Sequence, residues 1–210
     1  MSSSSAPSAS SISDAVAALR RGGVVVFPTE TVYGVGADAR NAVAVGRVFE
    51  VKGRPAERAV TVHIATSTEL ERWAADPPAG ASLLADAFWP GPLTVVVPAR
   101  ADVLDVVRGG GDTVGLRVPD HPVAHALLAG FGDGIVGSSA NRHGHPAAVT
   151  ADAAASAIPG ADAYLVGGEC LIGQGSTVID LVGAQPIVRR LGAVTIEQLS
   201  AVLGEEVLTA

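Results

Sequence analysis

Short runs of branched aliphatic residues alternate along this chain with alanine-rich segments whose apolar positions follow a helical spacing. Branched residues favour strands and alanine favours helices, so the two kinds of segment predict strands and helices respectively. The predicted strands cover residues 24–27, 59–65, 93–97, 113–118, 135–137, 163–166, 177–181 and 186–190. The predicted helices cover residues 13–21, 41–51, 67–75, 80–88, 121–129 and 196–203. A loop through Gly34 and Gly36 is expected between the first strand and the second helix.

This alternation predicts an α/β (α+β) fold with a mixed sheet. The 210 residues suit one sizeable domain with a substantial core. No linker and no repeat of fixed period interrupts residues 12–204, so we predict a single domain over residues 12–210. The first eleven residues include seven serines and no apolar run, which predicts a disordered tail over residues 1–11 rather than a signal peptide.

The composition argues against several classes of protein. A net charge of −7 opposes nucleic-acid binding through the general field of the protein, although it leaves room for a local cationic pocket. No apolar run is long enough to span a bilayer, so we expect no membrane association. The single cysteine, Cys170, allows no intramolecular disulfide, which fits a cytoplasmic location, and we expect a packed or semi-exposed thiol there.

Several familiar motifs are absent or misplaced. The chain has no P-loop motif. The spacing of Gly132, Gly134 and Gly137 matches the sequence of a dinucleotide-binding motif but not its order of secondary-structure elements. That motif needs a strand before its glycines and a helix after them, whereas the predicted order here is the reverse. His121 and His125 are four residues apart, but no carboxylate or thiol stands at a suitable spacing, so we predict a helix start at His121 and no metal site.

The only lysine of the chain, Lys52, stands beside Arg54 and Arg58, whereas the other thirteen basic residues are all arginine. A lysine ammonium and an arginine guanidinium are not interchangeable. Three cations within seven residues, at the end of a predicted helix, can converge on phosphates. The alternative is favourable charge at a helix C-terminus.

Two polar loops and one buried cation complete the candidate chemistry. Ser139 and Asn141 follow a predicted strand and suit an anion or nucleotide site, although a plain turn explains them equally well. Ser176 lies in a second, glycine-flanked loop that also suits an anion. Arg117 stands in an otherwise apolar predicted strand and must find a partner, either a bound carboxylate or an internal salt bridge.

Taken together, these segments resemble the YrdC family of L-threonylcarbamoyladenylate synthases, from about residue 13 to residue 196. Seven blocks in the order of the family make the resemblance specific. They are PTETVYGVG at 28–36, KGRP at 52–55, VHI at 62–64, FWPGPLT at 88–94, TVGLR at 113–117, SAN at 139–141 and STV at 176–178.

The resemblance implies a YrdC-like twisted mixed β-sheet flanked by helices around a large concave cavity. It implies a nucleotidyltransferase that condenses L-threonine, bicarbonate or CO₂, and ATP to threonylcarbamoyl-AMP and pyrophosphate. A downstream threonylcarbamoyl transferase complex would then modify certain tRNAs to threonylcarbamoyladenosine, and the resemblance implies at most a weak or transient contact with tRNA. The resemblance also implies Mg²⁺, brought with ATP and held mainly by substrate oxygens and water.

The family's functional residues map onto two groups in this chain. The threonine group would consist of Thr31, His63, Arg117 and Ser176. The ATP group would consist of Lys52, Arg54, Arg58, Thr113, Ser139, Asn141 and Arg190. Lys52 and Arg54 would be catalytic, because they would offset charge on the α-phosphate and the departing pyrophosphate.

The chain departs from the family pattern at a few positions. Arg58 and Ala59 replace a usual Asn-Pro, Gly175 replaces a usual glutamate, and Leu191 replaces a frequent proline. The length resembles the short, single-domain form of the family. Two alternative functions use the same fold: a non-catalytic RNA-binding paralogue and an enzyme that handles carbamoyl-adenylate.

Overall fold

A computed structural model describes residues 9–53 and 59–210 of the chain. In this part of the chain, one mixed sheet runs through the domain. Its strands are β1 (Val25–Phe27), β2 (Gly34–Asp38), β3 (Thr61–His63), β4 (Leu93–Pro98), β5 (Thr113–Arg117), β6 (Ile135–Ser139), β7 (Ala163–Tyr164), β8 (Thr177–Asp180), β9 (Ile187–Arg190) and β10 (Leu208–Thr209). Their order in the sheet is β10-β9-β8-β4-β5-β3-β6-β2-β1-β7. Strand β3 pairs parallel with β5 and antiparallel with β6.

Helices flank this sheet. The α-helices are α1 (Ile12–Arg20), α2 (Ala42–Lys52), α3 (Ala79–Phe88), α4 (Asp105–Arg108), α5 (Pro122–Phe131), α6 (Ala151–Ala157) and α7 (Ile196–Leu203). A 3-10 helix covers Ser67–Arg72. The predicted α/β architecture, with a mixed sheet between helices, is confirmed. No helix among the described residues is long and apolar enough to cross a membrane.

Two apolar clusters hold the helices against the sheet. The larger cluster joins residues such as Val62, Leu116 and Val136 to side chains of α2 and α3, among them Phe49 and Leu84. The smaller cluster packs α1 and α5 against the other side of β1 and β6. Successive residues of a strand point to opposite faces, which explains why neighbours in one strand belong to different clusters.

The helix ends show why these segments are helical. Ser11 caps α1 and forms a capping box with Asp14, and Thr195 does the same for α7 with Gln198. His121 caps α5 by accepting a hydrogen bond from the backbone nitrogen of Val123, as the predicted helix start requires. Residues 1–8 of the predicted tail lie outside the described residues, whereas Ser11 belongs to the capped helix.

Several element predictions are wrong. Strand β2 lies where a loop was predicted, because its glycines suit the narrow space between β1 and β6: a Cβ atom at Gly36 would overlap the carbonyl oxygen of Val136 and crowd Ile135 and Phe27. Residues 67–75 form a 3-10 helix over Ser67–Arg72 instead of an α-helix. Short elements α4, α6 and β10 were not predicted, and their few residues give too little periodicity to identify them.

Candidate active site

A cavity of about 580 Å³ opens on the face of the sheet that also carries α1 and α5. Alternate residues of neighbouring strands point into it, as the period of two in a strand requires. The strand residues that line it are Gly34 of β2, Thr61 and His63 of β3, Thr94 and Val96 of β4, Thr113, Gly115 and Arg117 of β5, Gly137, Ser138 and Ser139 of β6, Val178 of β8 and Arg190 of β9. Glycine stands at three of these positions, and the rings of Phe27 and His63 take the space above Gly34 and Gly137.

All the predicted site residues that the structure describes line this one cavity. They are Thr31, Lys52, His63, Thr113, Arg117, Ser139, Asn141, Ser176 and Arg190. They come from distant parts of the sequence, and the topology of the sheet brings them together. The other two predicted residues, Arg54 and Arg58, lie outside the described residues. The individual roles assigned to these side chains stay predictions.

Arg117 finds its partner inside the protein. Its Nη2 donates to Oε1 of Glu30 at 2.6 Å and to Oγ1 of Thr31 at 3.0 Å, and its Nε donates to the carbonyl oxygen of Gly91 at 3.0 Å. Burial lowers the pKa of Arg117, and the charge of Glu30 opposes that effect. Of the two alternatives open from the sequence, the internal salt bridge is therefore present. Arg117 still lines the cavity.

Lys52 connects the end of α2 to the loop after β6. Its Nζ donates to the carbonyl oxygen of Ser139, to the carbonyl oxygen of Asn141 at 2.9 Å and to Oδ1 of Asn141 at 3.3 Å. Gly53 ends α2 in the left-handed conformation, which glycine adopts readily. The ammonium group thus orders the Ser139–Asn141 loop while it adds positive charge to the cavity wall.

A second arginine of the cavity lining, Arg190, holds Ser176 in place. Arg190 donates through Nε and Nη2 to the carbonyl oxygen of Ser176, at 3.1 and 2.9 Å, and through Nη2 to its Oγ at 3.1 Å. The hydroxyl of Ser176 also contacts that of Thr94 at 2.8 Å. Burial and, secondarily, the charge of Arg117 lower the pKa of Arg190. Two arginines that repel one another across a cavity favour an anionic ligand.

His63 is neutral in this site. Burial, and to a smaller degree the charge of Arg117, lower the pKa of His63 to about 3. Its Nδ1 is buried without a hydrogen-bond partner among the described residues. The ring packs edge-on against Phe27, with 5.7 Å between the ring centroids, and it occupies the space above Gly137. A neutral imidazole can accept or donate one hydrogen bond without adding charge.

Some residues of this site were not predicted from the sequence. Thr29, Thr61 and Thr94 also line the cavity, and Glu30 stands behind Arg117. The signal for Thr61 was its position two residues before His63 in the same strand, since both must face one side. Nothing in the sequence spacing links Glu30 to Arg117, because their contact depends on the packing of separate elements.

The described residues offer no metal centre. No group of three or more histidine, cysteine, aspartate or glutamate side chains comes together among them. His121 serves as a helix cap and Gly132 ends α5, so the two misleading motifs have structural roles. The lining residues include no carboxylate.

A sequence profile places this architecture in a known family. The profile of the Sua5/YciO/YrdC family, described as "telomere recombination", matches residues 17–192 of the chain. This chain belongs to the Sua5/YciO/YrdC family. The resemblance predicted from the sequence is confirmed.

Curated members of the Sua5/YciO/YrdC family are similar over most of the chain. The threonylcarbamoyl-AMP synthase of Bacillus subtilis (strain 168) is 43% identical over 195 residues, which are 92% of this chain and 56% of that protein. The putative threonylcarbamoyl-AMP synthase of Mycobacterium tuberculosis (strain H37Rv) is 42% identical over 194 residues, which are 92% of this chain and 89% of that protein.

Solved members of the Sua5/YciO/YrdC family share the fold. Sua5 of Pyrococcus abyssi, in a crystal structure with L-threonine, is 42% identical with a TM-score of 0.90, over 93% of this chain and 58% of that one. YciO of Escherichia coli is 25% identical with a TM-score of 0.79, over 90% of this chain and 92% of that one. The chain spans little more than half the length of the Bacillus and Pyrococcus synthases, 56% and 55% respectively.

Proposed function

We propose that this chain is an L-threonylcarbamoyladenylate synthase, which condenses L-threonine, bicarbonate or CO₂, and ATP to threonylcarbamoyl-AMP and pyrophosphate. The observation that carries the proposal is the convergence of nine predicted site residues on one cavity in a member of the Sua5/YciO/YrdC family. Its volume of about 580 Å³ falls in the usual range for small-molecule sites.

In this proposal L-threonine lies near Thr31, His63, Arg117 and Ser176. The two N–H bonds of Nη1 in Arg117 have no hydrogen-bond partner among the described residues, so this nitrogen suits the carboxylate of an amino acid. The neutral ring of His63 adds a polar contact without a second charge. The threonine-bound structure of the Pyrococcus relative supports an amino-acid ligand for this fold.

ATP would lie toward Lys52, Ser139 and Asn141, with Thr113 and Arg190 beside it. Lys52 fixes the backbone of the Ser139–Asn141 loop, so a nucleotide would meet an ordered surface. Such preorganised donors cost little reorganisation when charge develops. Arg54 and Arg58, which lie outside the described residues, belong to the same predicted ATP group.

The chemistry needs positioning and charge more than a protein nucleophile. The threonine amine would first form a carbamate with bicarbonate, releasing water. A carbamate oxygen would then attack the α-phosphorus, and pyrophosphate would leave from the opposite side. The cavity supports this step by orienting both substrates and by offsetting negative charge with its buried cations.

Magnesium would enter as a complex with ATP. The lining residues present hydroxyls, an amide and cations but no carboxylate, so the described part of the cavity does not supply a cage for Mg²⁺. Phosphate oxygens and water would hold the ion. The product would pass to a threonylcarbamoyl transferase complex that modifies tRNA, which fits a cytoplasmic location.

The test is pyrophosphate release by the purified chain, with the product identified by mass. We expect release from ATP only when L-threonine and bicarbonate are both present, together with threonylcarbamoyl-AMP. Release that needs carbamoyl phosphate instead would favour the carbamoyl-adenylate alternative. RNA binding that weakens steeply with salt, without threonine-dependent release, would favour the non-catalytic paralogue.

A further inference from the structure

Thr29 lies beneath the proposed threonine subsite and has no role in the mechanism above. It is 2% exposed and touches the cavity wall. Its Oγ1 donates to the carbonyl oxygen of Val32 at 2.6 Å and contacts Oγ1 of Thr31 at 2.8 Å. The backbone nitrogens of Thr31 and Val32 also point at this oxygen, at 3.3 and 3.2 Å.

These contacts fix the direction of the hydrogen bond between the two hydroxyls. A carbonyl oxygen cannot donate, so the single hydroxyl proton of Thr29 forms the hydrogen bond to the carbonyl oxygen of Val32. Thr29 therefore has no proton left for its neighbour. In the 2.8 Å contact Thr31 is therefore the donor and Thr29 the acceptor, and Oγ1 of Thr29 shares its two lone pairs between this contact and the longer ones from the backbone nitrogens of Thr31 and Val32.

Arg117 constrains the same hydroxyl from the other side. A guanidinium can only donate, so Thr31 Oγ1 accepts the 3.0 Å hydrogen bond from Nη2 of Arg117. The second proton of Nη2 goes to Glu30, which fixes the plane of the group. The hydroxyl proton of Thr31 is thus engaged by Thr29, and one of its two lone pairs is engaged by Arg117. It can offer a ligand one lone pair only.

We propose that Thr29 is a positioning residue that holds Thr31 as a pure acceptor, so that the subsite selects ligands with an N–H donor beside a carboxylate. Nη1 of Arg117 provides the donor for the carboxylate, and Oγ1 of Thr31 provides the acceptor for the amine or carbamate N–H. This inference rests on the proposed function, because it assigns the amino-acid end of the substrate to Thr31 and Arg117.

The test compares two ligands that differ only in the amine. L-Threonine and (R)-3-hydroxybutyrate share a carboxylate and a hydroxyl, and calorimetry gives Kd for each. For the wild type we expect a preference for L-threonine of at least about tenfold, the value of one hydrogen bond to a charged group. In Thr29→Val the proton of Thr31 loses its acceptor and can turn toward the ligand. The preference should then fall by at least about threefold.

The ratio of the two Kd values distinguishes a positioning role of Thr29 from a general loss of structure. A merely structural role would weaken both ligands equally and leave the ratio unchanged, which would overturn the inference. Thr29→Ser keeps the hydroxyl and should restore the ratio. Thr66→Val is the matched control, because Thr66 and Thr68 form an exposed hydroxyl pair at the same 2.8 Å.

Two further outcomes are decisive. If Thr29→Val does not fold, Thr29→Ala removes the same hydroxyl without adding bulk and takes its place in the comparison. Equal binding of both ligands by the wild type would overturn this inference but not the proposed function. Binding of neither ligand, with no threonine-dependent pyrophosphate release, would overturn the proposed function and this inference with it.

Discussion

Oε1 of Glu30 lies 2.6 Å from Nη2 of Arg117, and the two side chains are only 13% and 6% exposed. The other oxygen of Glu30, Oε2, accepts a 3.0 Å hydrogen bond from the backbone nitrogen of Asp120. The pair therefore joins the segment before β2 to the end of β5. It places a cation in the cavity wall with its countercharge behind it.

Replacing Glu30 should destabilise the fold. Glu30→Ala would leave the guanidinium of Arg117 buried without its countercharge, and such losses cost about 3–5 kcal/mol. We expect the free energy of unfolding, measured with urea, to fall by about that amount. Arg100→Ala is the control, because it removes an exposed ion pair with Asp102 that is worth about 1 kcal/mol or less. Equal losses in the two variants would contradict the prediction.

The stability of the protein should depend on pH through His63. Its pKa is lowered from 6.5 to about 3 in the folded state, so the unfolded chain binds the proton more readily. This contribution to stability is complete above about pH 6.5 and declines as the pH falls toward 3. The slope is at most about 1.4 kcal/mol per pH unit.

Urea unfolding at pH 7.5 and pH 5.0 measures this dependence. The wild type should lose about 2 kcal/mol more between these values than His63→Gln, which cannot titrate. His145→Gln changes an exposed histidine and serves as the control. A wild-type loss no larger than that of His63→Gln would show that protonation of His63 is not coupled to folding.

Much of the fold follows from the sequence, because the periodic apolar positions of long segments predict their helices and strands. The helix at Ile196–Leu203 is bounded by a capping residue and a glycine, and both are visible in the letters. Strand β2 was missed because Gly34 and Gly36 carry no side chains, so no alternation is visible there. Its position depends on how Phe27 fills the space next to it, which is a tertiary effect.

The site was predictable to a different extent. The blocks that carry the family resemblance also carry the lining residues, so Thr31, Arg117 and Ser176 could be named before the fold was known. Their hydrogen bonds could not. The pairing of Glu30 with Arg117 and the direction of the Thr29 hydroxyl both depend on distances between separate segments, which sequence spacing does not encode.

The absence of a side chain at Gly137 makes room for His63. A Cβ atom at Gly137 would overlap the imidazole ring, so Gly137→Ala must move either the ring or the strand. We expect a loss of about 1–3 kcal/mol in the free energy of unfolding, together with weaker L-threonine binding. Gly46→Ala in α2 is the matched control: a Cβ there meets nothing within 4 Å beyond its chain neighbours and the backbone of its own helix. The free energy of unfolding of that variant should rise by about 0.4–1 kcal/mol.

The two arginines should separate the substrates kinetically. Arg117→Ala should raise KM for L-threonine at least about tenfold and change KM for ATP far less, because it removes the hydrogen-bond donor to the threonine carboxylate. Arg190→Ala should raise KM for ATP and change KM for L-threonine far less. Arg189→Ala, the exposed neighbour paired with Asp180, should change neither constant more than about twofold. A rise in KM for ATP alone in Arg117→Ala would show that the division of the cavity is wrong.

Lys52 combines a structural and an electrostatic contribution, and removing it should abolish most of the activity. Lys52→Ala deletes the ammonium that fixes the loop carrying Ser139 and Asn141, and it also deletes a charge next to the proposed phosphates. We expect pyrophosphate release to fall at least about tenfold while the fold persists. Arg47→Ala in the same helix removes a half-exposed ion pair with Asp162 and should keep near-normal turnover. Near-normal turnover in Lys52→Ala would remove this lysine from the catalytic residues.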